Sequence, residues 1–108
     1  MGLDQWAIGR KDGSDILITE WRKHANLQGW MSDLYMNRGG TSDFNQVELR
    51  LYKKDLERLS DEYDKLKEAK GFFWGVSSDI DNEKTNEFIK KAFIMIEEGY
   101  KIIYSSWY

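Results

Sequence analysis

Val47-Glu48-Leu49-Arg50-Leu51, followed by Leu56, Leu59, Tyr63 and Leu66 ahead of Gly71, changes its hydrophobic period within one short stretch. Val47, Leu49 and Leu51 fall on one face of an extended chain and Glu48 and Arg50 on the other, the alternation of a half-buried strand. We read a strand from Phe44 to Tyr52. The apolar spacing then becomes 3, 4, 3, which predicts a helix from about Lys54 to Lys70 with Gly71 at its C′ position. A strand running directly into an amphipathic helix is the kernel of an α+β fold.

Outward from this kernel, Leu3, Gln5 and Ala7 alternate with Asp4, Trp6 and Ile8, predicting a first strand that ends at the turn Lys11-Asp12-Gly13-Ser14. A short extended piece, Ile16 to Thr19, follows. Thr19 reads as the N-cap of a helix from Glu20 to about Asn37, stopped by Gly39-Gly40, with Leu27, Trp30, Met31 and Leu34 as its apolar stripe and Lys23 on the same stripe. Asp81 or Asn82 caps a third helix running to about Glu98, stopped by Gly99, and its stripe is the widest, so it is expected to be the most buried. Tyr100 to Tyr108 closes the chain as a strand. Phe72-Phe73-Trp74-Gly75-Val76 reads equally as a buried strand or a ligand-facing loop. The expected architecture is one domain over residues 1–108, α+β, with three helices packed on a small mixed β-sheet.

At 108 residues, with 41% hydrophobic and 32% charged residues, the chain carries enough apolar material for one core. Five Trp, six Tyr and five Phe exceed what that core needs, which leaves aromatic surface for contacts. A net charge of −3 argues against general nucleic-acid binding. Absence of cysteine removes disulfides, thiolate metal sites and a Cys nucleophile, and fits a reducing cytoplasm. Asp4 stands where a signal peptide needs basic residues, and no stretch approaches a membrane span, so no membrane association and a cytoplasmic location are expected.

Chemistry is sparse. His24 is the sole histidine, and no G-x-S-x-G elbow surrounds any serine, so a hydrolytic triad has little to build on. The acids of Asp79-Ile80-Asp81-Asn82-Glu83 read as helix caps and dipole partners rather than a cation site. Gly39-Gly40 lacks the ending of a phosphate loop. Seven basic and six acidic residues between Arg50 and Lys70 nearly cancel, as on a solvated helix face. No cofactor and no enzymatic activity are expected.

One constellation remains. Glu20-Trp21-Arg22-Lys23 with Trp30 sets aromatic faces beside cationic donors, a combination suited to stacking a base, clamping a phosphate or anchoring a protein. The plainer reading lets Lys23 snorkel while Trp21 packs under the sheet.

These residues also carry a resemblance. Thr19-Glu20-Trp21-Arg22-Lys23-His24 and Asn26-Leu27-Gln28-Gly29-Trp30-Met31 are similar to the E-W-R-K-H-P-N-L-H-G-W-M signature of a small family of tailed-phage and bacterial proteins. Phe44-Asn45-Gln46-Val47-Glu48-Leu49-Arg50-Leu51, Gly71-Phe72-Phe73-Trp74-Gly75 and Tyr104-Ser105-Ser106-Trp107-Tyr108 continue it, so the likeness spans most of the chain. Ala25 replaces the family's proline and Gln28 its histidine. The resemblance implies a phage or prophage setting and supplies no reaction. The expected function is therefore host modulation or counter-defence by binding, with a small nucleotide-like ligand or a host protein as partner and a homo-oligomer as the form that completes a pocket. The residues expected to bind are Trp21, Arg22, Lys23, His24, Trp30, Phe73, Trp74, Tyr104 and Trp107.

Overall fold

The computed structural model describes residues 3–41, 43–66 and 82–108. Seven elements follow in order: β1 (Asp4–Lys11), β2 (Ser14–Arg22), α1 (Ala25–Asn37), β3 (Leu49–Leu51), α2 (Lys53–Glu62), α3 (Asn82–Glu97) and β4 (Lys101–Trp107). The strands form one sheet in the order β2-β1-β4-β3. The fold is α+β, as expected. Among the described strands every pairing is antiparallel rather than mixed. β2 returns from β1 through a hairpin, and the C-terminal strand inserts between β1 and β3.

The hairpin is specified locally. Asp12 and Gly13 both take positive φ, 53° and 79°, as a two-residue turn of matching twist requires. Beyond it the expected helix start at Glu20 is displaced. Glu20, Trp21 and Arg22 pair with Trp6, Gln5 and Asp4, so β2 runs to Arg22. The chain breaks at Lys23, which takes a φ of 58°. Its N–H donates to the Leu3 carbonyl at 2.7 Å. His24, not Thr19, is the N-cap of α1, its Nδ1 accepting from the Leu27 N–H at 3.4 Å. Lys23 therefore lies outside the stripe of α1.

β3 is shorter than the expected Phe44–Tyr52 run. Gln46 takes a φ of 60°, which interrupts extended pairing. Its N–H still reaches the Ser106 carbonyl at 2.8 Å, holding the preceding segment against β4. α2 begins beside the expected position, with the Asp55 carboxylate accepting the Tyr52 N–H at 2.8 Å and an ion pair from Arg38. α2 ends at Glu62 with Tyr63 as its C-cap, short of the expected end near Lys70, and the chain turns over residues 63–65, where the Lys65 N–H donates to the Glu62 carbonyl at 3.0 Å. The expected Gly71 stop and the Phe72–Val76 segment lie outside the described residues.

Cross-strand partners share a face of a sheet. Gln5, Ala7, Trp21, Ser106, Tyr104, Ile102, Leu49 and Leu51 therefore point to one side. There they join Leu27, Met31, Leu34, Leu56, Leu59, Phe88, Ile89 and Ala92 from the helices in a single core. Gly9 faces α3 on this side, where an added Cβ would make the flexible tip of Met95 shift and would crowd the Tyr100 ring. α1 rather than α3 is the more buried helix for its length. It buries Ala25, Leu27, Gln28, Met31 and Leu34, whereas α3 buries Thr85, Phe88, Ile89 and Ala92 and leaves Ile94 exposed. The rest of the wide α3 stripe, Phe93, Met95 and Ile96, packs half-buried at the core margin.

Candidate functional site

Period-two geometry divides the sequence constellation. In a strand, adjacent side chains point to opposite faces, so Trp21 goes into the core and Arg22 to the outer face. Trp21 is 2% exposed. Its ring meets Phe88 edge-on at 5.3 Å and its Nε1–H donates to Thr85 Oγ1 at 3.1 Å. This matches the plainer of the two sequence readings for that tryptophan.

His24 and Tyr104 are also fully buried. They belong to a polar seam between the sheet and α1. Gln5 Nε2 donates to Tyr104 Oη at 2.8 Å and to the His24 carbonyl at 3.0 Å, while its Oε1 accepts the His24 N–H at 2.8 Å. Tyr104 Oη donates to Gln28 Oε1 at 2.6 Å, and Gln28 Nε2 donates to Ser106 Oγ at 2.9 Å. Burial pushes the Tyr104 hydroxyl well above its ordinary range. The Gln5 and Gln28 amides and the Tyr104 hydroxyl satisfy one another inside the protein, as buried polar atoms generally do, whereas the buried His24 Nε2 makes no hydrogen bond among the described residues. His24 consequently presents no imidazole to solvent for acid–base chemistry.

Trp30 is half-buried on the helical side. Its Nε1–H donates to Glu62 Oε1 at 3.1 Å, and Arg58 lies over its ring at 5.1 Å. That hydrogen bond, followed by Arg58, holds the Glu62 carboxyl below its ordinary range. Lys23 is half-buried at the break after β2. Phe73 and Trp74 lie outside the described residues.

The opposite side of the sheet carries Asp4, Trp6, Ile8 and Arg10 from β1, with Arg22, Glu20, Leu17 and Asp15 across from them on β2 and Trp107, Ser105, Ile103 and Lys101 on β4. No helix among the described residues covers it. Leu17 and Trp107 are each 57% exposed. Arg10 grips Asp15 through Nε at 2.7 Å and Glu48 through Nη2 at 2.9 Å. Because β4 lies between β1 and β3, this bridge to Glu48 spans Ile103, which is buried despite facing outward. Hydrogen bonds from Arg10 hold both carboxyls below their ordinary range.

At one end of this face a shallow concavity of about 440 Å³ is lined by Asp4, Gln5, Trp6, Glu20, Trp21, Arg22 and Lys84. Arg22 and Asp4 approach to 3.9 Å. Trp6 supplies an aromatic wall, and two carboxylates oppose two cations, so the rim has no net sign. Of the residues expected to bind, the structure brings Trp21 and Arg22 to this rim and sets Trp107 opposite Asp4 on the same face. Trp6, Glu20 and Lys84 were not among the residues expected to bind. Trp6 was legible as the aromatic member of the face alternating with Leu3, Gln5 and Ala7, whereas nothing local marks Lys84.

Among the described residues no three His, Asp or Glu side chains gather as a metal site, and no helix is long and apolar enough to cross a membrane. No family model, curated protein or solved structure matches the chain.

Proposed function

We propose that this is a non-catalytic accessory protein of phage type that acts by holding a host protein against the outer face of its sheet. The observation that carries the reading is the one-sided cover of that sheet: all described helices pack on one face, leaving Trp6, Ile8, Leu17 and Trp107 on the other beside charges of both signs. Large aromatic side chains within a mixed polar rim are the usual composition of protein contact surfaces.

A nucleotide-derived ligand ranks second. Of the rings first expected to stack a base, Trp21 is interior and Trp30 is engaged by Glu62 and Arg58, and Asp4 and Glu20 on the concavity oppose a polyanion. Capture from host lysate on immobilised protein tests the ranking. One protein retained by the native chain and lost by a Trp6→Asp, Trp107→Asp variant supports the first reading. Calorimetric binding of a cyclic or linear nucleotide, abolished by Arg22→Ala, reverses the order.

A further inference from the structure

β2 forms one border of the sheet, and among the described residues no strand lies beyond it. It is nine residues long and contains neither proline nor lysine, two of the residues that blunt an exposed border, although it carries charged side chains and a bulge. Ile16 and Leu17 stand 47% and 57% exposed along it. Such a border is a template for another strand.

The main-chain groups that point outward can be counted from both ends. Lys11 and Ser14 close the two-residue turn. The closing pair of such a turn faces inward, so alternation directs the N–H and C=O of Asp15 and Leu17 away from β1. From the other end, the Lys23 N–H bonds the Leu3 carbonyl, so alternation directs Arg22 and Glu20 outward. The two counts differ by one residue. Ile18 absorbs it as a bulge, where the register passes from Ala7↔Thr19 to Ile8↔Leu17. The side chains of all four outward residues share the outer face with their β1 partners Arg10, Ile8, Trp6 and Asp4.

We propose that a second copy of this chain adds to this border, β2 against β2 and antiparallel, about a two-fold axis between Ile18 and Thr19. That register sets Asp15 opposite Arg22 of the second copy and Leu17 opposite its Glu20. Outward main-chain groups meet outward ones, and each pair shares a face. Ile16 comes opposite Trp21 of the second copy on the helical side. A slip by two residues one way sets Asp15 against Glu20, two like charges, and the other way carries Asp15 past the end of the strand. Phase and charge together therefore choose one register. The four facing pairs supply about eight main-chain hydrogen bonds, two for each pair. The Arg22 side chain is 83% exposed and lies 3.9 Å from Asp4. Asp15 keeps lone pairs for a second cation beside Arg10. The product is a continuous eight-stranded sheet, and its test is separate from that of the proposed host-protein contact, whose variants are at Trp6 and Trp107 of β1 and β4.

Sedimentation equilibrium of the full chain over a range of concentrations tests this. The expected result is twice the chain mass, weakened at least tenfold by Arg22→Asp and restored when Asp15→Arg is added. Leu17→Pro, which removes an outward N–H without touching the β1 ladder, gives a folded monomer by circular dichroism. A native chain that remains single-chain throughout, or a dimer indifferent to both Leu17→Pro and Arg22→Asp, overturns the proposal.

Discussion

Tyr104 donates its hydroxyl to Gln28 at 2.6 Å, joining the middle of the last strand to a helix 76 residues earlier in the chain. Gln5 donates to the same hydroxyl from β1. The C-terminal strand thus closes the core with a polar seam as well as with apolar contact, so its burial specifies position as well as supplying area.

Tyr104→Phe keeps the ring and removes the hydroxyl, leaving Gln5 Nε2 and Gln28 Oε1 each without one buried partner. A loss of about 1–3 kcal/mol follows for unmet polar groups of this kind. Urea unfolding should show a lower midpoint at unchanged slope. An unchanged midpoint would mean that the seam contributes nothing.

His24→Ala removes the side-chain acceptor for the Leu27 N–H and leaves a void at a fully buried site. The expected cost is about 1–2 kcal/mol from the cap alone, more with the void. His24→Asn restores a capping oxygen and should recover part of it. Equal melting temperatures for the two variants would show that the cap is immaterial.

The Arg10 bridge predicts a pH dependence whose sign is fixed. Asp15 and Glu48 are held below their ordinary range by hydrogen bonds from Arg10. Groups lowered in the folded state contribute stability in full above the unfolded carboxylate range and lose it as pH falls through the folded value. The melting-temperature gap between the native chain and Arg10→Gln should therefore be widest near neutral pH and close on acidification. High salt should narrow it too, since these groups face water. A gap constant in pH would remove the bridge as its cause.

The elements legible in the sequence were those decided by their own residues. Asp12-Gly13 allows little but a tight hairpin, and Gly99 with its φ of 95° ends α3 beside the expected position. The start of α1 was not legible. Thr19 followed by Glu20 satisfies helix-start rules, and only the remote partners Trp6, Gln5 and Asp4 keep that stretch extended. The same misread period affected the site. On a helix Trp21 and Arg22 stand about 100° apart, with Trp21 at the margin of the apolar stripe, whereas on a strand they part to opposite faces, and Asp4, Trp6 and Glu20 take up the solvent side.

Two tryptophans provide the sharpest contrast between core and contact surface. Trp21 is 2% exposed and donates to Thr85, whereas Trp107 is 57% exposed on the face of the sheet that no described helix covers. Trp21→Ala should cost about 3–5 kcal/mol, the range for deleting a buried aromatic ring. Trp107→Ala should change stability by no more than about 0.5 kcal/mol, as surface substitutions do. If the outer face holds a host protein, that stable variant should nevertheless lose most of its capture, because exposed aromatics anchor such contacts. Denaturant titration and capture from lysate on the same preparations separate the two effects. Full capture by Trp107→Ala, with stability unchanged, would leave the aromatic surplus of this sequence without a role on that face.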